Sequence, residues 1–377
     1  MVDVEKLNPN DFEQVVYCND PKVGLKSIIA LHDTTLGPGT GGCRFYPYET
    51  EEEALTDVLR LSKGMTYKSA ISRLKFGGGK AVIIGDPKKI KTPELLKRFA
   101  EFVNSLHGQY ITAKDVGVNG ADLRVMSEVT PHILGIEGKK GSSGDPSIAT
   151  AYGIYRGIQA ICQEIFQKDS LRGMTFAVQG AGSVAYYLLK HFDQEGVNIV
   201  LCDVNPSSIQ KCQTVAPNLK IVDPNEIYDV ECDIFSPCAM GGILNQETLS
   251  RLKCKVVAGA ANNQLATLKD GYDLHEKGIF YAPDYVINAG GIINIAYEQN
   301  GYDQKGAFEH VEGIYDTMVQ IIRRSKSENI PPFLIADLIA EEILKEAKKK
   351  VVKSGVRPQR GLRPVGLTPN PNFSSIL

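Results

Sequence analysis

The sequence predicts an α/β protein of two domains, each built on a mainly parallel sheet. Three observations predict it. The chain has 377 residues, a length that suggests two domains. Short apolar runs of strand length alternate with segments of helical period, the pattern of βα units. Between residues 174 and 203, an apolar strand, a glycine turn, a helix, a second strand and an acid follow in order.

Composition narrows the classes. Hydrophobic content of 43% and charged content of 23% are ordinary globular values. A net charge of −2 gives no nucleic-acid signature. Eight cysteines without a Cys-x-x-Cys pair and six histidines without ligand spacing argue against a metal site. Residues 1–6 lack the basic start and apolar core of a signal peptide, so none is expected. No apolar run approaches the length of a membrane span. Free thiols without a secretion signal fit a cytoplasmic protein.

In chain order, residues 26–33 read as a strand, and 38–42 (PGTGG) as a loop built for close backbone approach. From Glu51 to Gly64, apolar residues recur at helical spacing behind an acidic first turn. Residues 80–85 read as a strand, 93–106 as a helix and 108–112 as a strand, with Asp115 just beyond. One antiparallel edge is compatible with this pattern. Gly77-Gly78-Gly79-Lys80 is the focus of this half. Three glycines let a backbone pass close to a ligand. A lysine at the mouth of an apolar strand is costly unless paired or used. Were Lys68 and Lys80 to share a cleft, each would disfavour protonation of the other and bring a lysine toward the range of a base. A glycine turn beside a solvated lysine is the competing reading, and Asp115 is equally readable as a helix cap.

Residues 137–147 are rich in turn formers and read as the link between domains. A helix is expected over 148–166. The strand Met174–Gln179 then runs into Gly180-Ala181-Gly182-Ser183-Val184-Ala185, a G-x-G-x-x-A turn. A helix from Val184 to His191 follows, then the strand Asn198–Cys202 and Asp203. Gly180 suits the tight turn and Gly182 the approach of a pyrophosphate to the helix N-terminus. Ala185 suits close helix–strand packing, and Asp203 the adenosine ribose hydroxyls. The order of elements points to a Rossmann-type, doubly wound dinucleotide-binding domain. A tightly packed βαβ unit that binds nothing is the alternative. The acid at 203 would repel a 2′-phosphate, which favours NAD over NADP.

Further strands are expected at 233–236, 256–259 and 284–287. The loops after them, with Cys238, Ala239, Ala261, Asn262, Asn263 and Asn288, would gather at the carboxyl edge of the sheet. The asparagines could bond a ligand or simply make turns. Helices at 304–328 and 333–350 close the fold. The tail from about 351 is basic and proline-containing, either a solvated or subunit-clasping tail or an arm for a polyanion.

With these motifs in place, the chain resembles the Glu/Leu/Phe/Val amino-acid dehydrogenases, and among them the leucine-specific members, from about Asp11 to Lys348. The resemblance rests on residues 32–38 (HDTTLGP), 63–68 (KGMTYK), 77–80 (GGGK), 112–116 (TAKDV), 233–238 (DIFSPC) and 283–291 (PDYVINAGG). It implies an N-terminal α/β substrate-binding and dimerisation domain over 1–147, joined by the C-terminal helices at about 326–350. The NAD-binding domain would cover 148–325, with the active site in the cleft between them. The implied reaction is reversible NAD-dependent oxidative deamination of an L-amino acid to a 2-oxo acid and ammonia, in a homo-oligomer, octamer or dimer.

By position in the family, Lys68 would bind the substrate carboxylate and Lys80 would be the general base. Asp115 would shuttle protons to the amino nitrogen, and Gly41 and Asn262 would hold the substrate backbone. Thr150 and Asn263 would hold the nicotinamide end. Gly180, Ala181, Gly182, Ser183, Val184, Ala185 and Asp203, with Cys238, Ala239, Ala261 and Asn288, would complete the cofactor surface. Thr40, Ala113, Ile292 and Ile295 would line an apolar side-chain pocket. Glutamate-specific members carry a lysine at position 40 and a serine at position 295. Thr40 and Asn262 depart from the leucine-specific pattern, where leucine and aspartate are usual, so phenylalanine or tryptophan stays open as a substrate. A non-catalytic NAD- or amino-acid-sensing protein of the same fold is the alternative from another class. The intact Lys68, Lys80 and Asp115 argue against it.

Overall fold

The computed structural model describes residues 7–136, 138, 141–299 and 301–354. Two six-stranded sheets organise it. The first contains β1 (Gln14–Asp20), β2 (Leu25–Leu31), β3 (Gly39–Thr40), β4 (Cys43–Tyr46), β5 (Gly77–Ile84) and β6 (Tyr110–Ile111). Its order is β1-β2-β5-β3-β6, with β4 also paired to β5. The β1/β2 and β2/β5 pairings are antiparallel, and β3, β4 and β6 join in parallel. Antiparallel pairing therefore reaches further in than one edge, and β1 was not foreseen.

Alternation along these strands gives the sheet two buried faces. Ile28, Ala30 and Val82 pack with Ala54, Val58 and Leu59 of the helix Glu51–Ile71. Ile29, Leu31, Ala81 and Ile83 pack with Leu95, Phe99 and Val103 of the helix Pro93–Ser105. The first of these helices starts on Thr50, whose side chain accepts the Glu53 N–H, with three acids in its first turn. It passes straight through Gly64, the expected end, and carries Lys68 in its last turn. Gly64 ended the expected helix only because glycine is a poor helix former.

The second sheet is parallel throughout, in the order β12-β11-β10-β7-β8-β9. Its strands are β7 (Thr175–Gln179), β8 (Asn198–Cys202), β9 (Lys220–Ile221), β10 (Ile234–Pro237), β11 (Val256–Val257) and β12 (Phe280–Tyr281). Strand order reverses between β7 and β10, the point where α/β sheets open a ligand crevice. Residues 284–287 are a helical turn, Asp284–Ile287, not a strand. Pro283 sits at its N-cap and Asp284 in its first turn, which outweighs the strand preference of Tyr285, Val286 and Ile287.

The helix after the link runs Pro146–Ile161, capped by Asp145, and continues as one π turn, Cys162–Phe166. The next spans Ser183–Glu195. The expected helix at 304–328 is two, Gln304–Glu312 and Ile314–Glu328, divided at Gly313. The last helix, Pro332–Ser354, returns to the first sheet. There Glu341 accepts from Tyr67 at 2.8 Å and Lys348 pairs with Asp33 at 2.7 Å. The basic tail expected from 351 begins as this helix's last turn, and its remainder lies outside the described residues. The link segment is tied down by Glu298, which accepts from the Gly135 and Ser143 N–H groups at 2.9 and 2.7 Å.

Candidate active site

Lys80 lies inside β5, opposite Ala30, rather than in a loop. Gly78, Lys80 and Val82 share one strand face by the period of two. A Cβ at Gly78 would collide with the Thr66 hydroxyl and the Ser62 carbonyl of the helix Glu51–Ile71. One at Gly77 would strike the Asp33 carbonyl. The triplet thus serves protein packing. It lets the helix lie on the strand, which brings Lys68 to the side from which Lys80 emerges.

Lys80 is 7% exposed and its ammonium is ion-paired with Asp115 Oδ2. The other Asp115 oxygen lies 3.8 Å from Arg44 Nη2. Arg44 comes from β4, and its Nη1 contacts Asp57 Oδ2 at 2.8 Å. Asp57 also accepts from Tyr48 at 2.7 Å and pairs with Arg60 at 2.8 Å. Burial pushes the Asp115 carboxyl up, but Lys80 and Arg44 outweigh it and hold Asp115 below the usual carboxylate range. Asp115 is therefore no helix cap. Its side chain also receives the Val116 N–H at 2.6 Å.

Lys68 donates to Asn288 Oδ1 at 2.7 Å, and Asn288 Nδ2 donates to Asn262 Oδ1 at 2.7 Å. Asn288 also donates to the Ala260 carbonyl at 3.1 Å. These bonds join the helix of the first sheet to the carboxyl edge of the second. Asn288, expected on the cofactor, also holds Lys68 from the C-cap of the Asp284–Ile287 helix. Burial lowers the Lys68 ammonium to about 8, with Lys80 adding to the shift and Asp284 opposing it.

Around this centre, Thr40 is buried, pairs with Ile111 across β3/β6 and donates to the Pro38 carbonyl at 3.1 Å. Gly41 receives the Tyr110 hydroxyl on its carbonyl at 2.7 Å and gives its N–H to Ile111 at 3.1 Å. The Ala113 carbonyl accepts from Cys43 N–H at 3.0 Å. Ile292 and Ile295 lie on the helix Gly290–Ala296, half-buried in the cluster that also holds Ile111 and Leu134. Ile295 faces Gly135. None of these four pocket candidates carries a charge.

The glycine turn lies at the switch point. Gly180 has φ +102, and a Cβ there would meet Ala239 at 2.8 Å. Gly182 caps the helix Ser183–Glu195 without a side-chain bond, and a Cβ there would meet nothing within 4 Å. Open space over uncapped N–H groups fits a pyrophosphate. Ser183 is exposed, Val184 half-buried and Ala185 buried. Asp203 ends β8, and its oxygens accept the Ala181 and Asn205 N–H groups at 2.6 and 2.7 Å. Cys238 and Ala261 are fixed by N–H bonds to Gln179 and Pro237 at 2.7 and 2.9 Å. Thr150 donates to Pro146 at 2.9 Å, and Asn263 is left-handed at φ 51. Among the described residues no His, Cys, Asp and Glu group could hold a metal ion. No helix among them is long and apolar enough to cross a membrane.

Arg44, Asp57 and Asp284 were missed by sequence reasoning. Arg44 carries the one available signal, a lone cation in the apolar run 43–46.

Comparison with known proteins completes the picture. The model of the Glu/Leu/Phe/Val dehydrogenase dimerisation domain matches residues 12–132. That of the Glutamate/Leucine/Phenylalanine/Valine dehydrogenase matches residues 141–213 and 203–350. Leucine dehydrogenase of Geobacillus stearothermophilus is 50% identical over 90% of this chain and 92% of its own. Phenylalanine dehydrogenase of Caldalkalibacillus thermarum is 45% identical over 89% of this chain and 92% of its own. The crystal structure of L-tryptophan dehydrogenase from Nostoc punctiforme is similar at a TM-score of 0.80 and 41% identity, covering 90% of this chain and 97% of that one. With its two sheets, its switch-point glycine turn and its lysine-lined site, the chain belongs to the Glu/Leu/Phe/Val dehydrogenase family.

Proposed function

We propose that the chain catalyses NAD-dependent oxidative deamination of L-amino acids with apolar side chains, leucine, valine and isoleucine first. The observation that carries this reading is the convergence of Lys68 with the Lys80–Asp115 pair in one site. An α-carboxylate needs a cation, and Lys68, oriented by Asn288, supplies it. Asp115, kept ionised by Lys80 and Arg44, takes a proton from the substrate ammonium. Once Asp115 has released that proton to solvent, Lys80 passes its own proton to Asp115 and takes one from the water that adds to the imine carbon. Gly41 and Asn262 steady the substrate backbone. NAD, when bound, supplies the acceptor for the hydride that leaves the substrate Cα.

Gly180–Ala185 and Asp203 would hold the cofactor's phosphates and ribose, with Thr150, Cys238, Ala239, Ala261 and Asn263 along its length. The Asp203 carboxylate supports NAD over NADP. Residues 1–147 with the C-terminal helices over about 326–350 are taken as the substrate-binding part, and 148–325 as the NAD-binding part. A homo-oligomer is supported by the dimerisation-domain match over 12–132, and a cytoplasmic location by eight free cysteines.

A phenylalanine or tryptophan substrate is the second reading, favoured by Thr40, Asn262 and the likeness to the tryptophan enzyme. The test of the mechanism is Lys80→Ala. It should lower kcat by roughly 10²–10⁴-fold, the usual worth of a general base, while NAD binding persists by fluorescence titration. An unchanged kcat would overturn the assignment.

A further inference from the structure

We propose that Cys232 and Cys254 are a redox pair, which a low-molecular-weight disulfide converts into an intramolecular disulfide bond. In the parallel pairing of β10 with β11, Ile234 stands opposite Val256. Carrying that register back two residues sets Cys232 opposite Cys254. The backbones remain paired there, through the Glu231–Lys253 bridge and the Cys232 N–H donating to the Lys253 carbonyl at 3.4 Å. Neighbouring strands run about 4.8 Å apart, within the Cα separations that disulfides span. Both side chains belong to one apolar cluster, Cys254 buried and Cys232 half-buried, so the pair reaches solvent through Cys232.

The facing Cys232 side chain and backbone N–H groups draw Cys254 below the usual thiol range, while Cys232 is raised by Cys254 and by burial. At the other thiols burial dominates. It pushes Cys18 to about 12, and Cys202 and Cys212 to about 11. The pair is thus where a thiolate is most available, and the thiolate is the nucleophile of exchange.

The chemistry balances without a metal. Cys232, which reaches solvent, gives its proton to the Cys254 thiolate, attacks one sulfur of the small disulfide, forms a mixed disulfide and expels one small thiolate. The remaining protein thiol gives its proton to solvent and attacks the protein sulfur of that mixed disulfide. The Cys232–Cys254 bond forms as the second small thiolate leaves. Two protein thiols are oxidised and one small disulfide is reduced to two thiols. The new bond ties the starts of β10 and β11. Cys238 and Ala239 lie at the other end of β10, so the glycine-turn edge is untouched.

The test is to incubate the reduced full-length protein with glutathione disulfide, then count thiols and map peptides without reduction. Two of the eight thiols should disappear and the chain should become two hydrogens lighter. Peptides carrying Cys232 and Cys254 should be cross-linked, and dithiothreitol should reverse the change. Cys232→Ser and Cys254→Ser should each abolish the cross-link. Because the bond constrains the unfolded chain, Tm should rise by several degrees in the oxidised wild type and not in either variant. Persistence of all eight thiols while a control dithiol peptide oxidises would overturn the proposal. So would a glutathione adduct that never closes, or loss of thiols at a different pair.

Discussion

Lys68 and Asn288 meet across the two halves of the molecule, ammonium to amide oxygen at 2.7 Å. The amide's other end is held by Asn262 and Ala260, so it cannot turn without breaking two bonds. Asn288→Ala should therefore release Lys68 and raise KM for the amino acid. A hydrogen bond to a charged group contributes about 1.5–3 kcal/mol, which corresponds to roughly tenfold or more. KM for NAD should move far less. Lys68→Ala should weaken amino-acid binding by about 2–5 kcal/mol. Steady-state kinetics with each substrate varied in turn separates these effects. An Asn288→Ala variant defective only toward NAD would return that residue to the cofactor.

Lys68 also fixes a pH dependence. Burial lowers its ammonium to about 8, so the free enzyme holds the charge below that pH and loses it as pH rises through it. KM for the amino acid should be lowest below about pH 8 and climb above it. A KM flat from about pH 7 to about pH 10 would contradict Lys68 as the carboxylate partner.

Arg44 stands 3.8 Å from Asp115 and is anchored by Asp57. It helps keep the Asp115 carboxylate ionised against burial. The carboxylate is lost as pH falls through its folded-state pKa, and removing the guanidinium raises that pKa. Arg44→Gln should move the acid limb of kcat/KM to higher pH, and Arg44→Lys should recover part of the shift. An acid limb that stays in place would leave Arg44 a purely structural residue.

Thr40, Ala113, Ile292 and Ile295 offer no charge to a distal carboxylate, and a buried unpaired carboxylate costs several kcal/mol. Glutamate should be rejected strongly. One methylene is worth only about 1–3 kcal/mol in an apolar pocket, so leucine, isoleucine and valine should all react. Thr40→Leu should narrow the pocket and penalise the largest side chains first. A variant whose ratio of phenylalanine to valine kcat/KM does not fall would remove Thr40 from the pocket.

The legible parts of the molecule were the local ones. The turn Gly180–Ala185 could be read because strand, turn, helix and acid lie within one short segment, each constrained by its neighbours. Gly77–Gly79 was visible, but its packing role was not. Its partners Thr66, Ser62 and Asp33 are tertiary, and no spacing reveals them. The two-residue strands β3, β9 and β12 are too short to carry a period. The Arg44–Asp115 contact joins distant segments, so only folding puts it in view. Asn288 was recognised as a binding residue but its bond to Lys68 was not foreseen, because it joins segments 220 residues apart and the turn Asp284–Ile287 was expected as a strand.

The central claim is tested by initial rates of NADH formation with leucine, valine, isoleucine, phenylalanine, tryptophan and glutamate, with NADP in parallel. The expected result is the highest kcat/KM among the three aliphatic substrates, negligible turnover of glutamate, and NAD preferred over NADP because of Asp203. Phenylalanine or tryptophan in first place would keep the mechanism and change the substrate. Glutamate turned over as well as leucine, or no NADH formed from any of the six, would contradict the account.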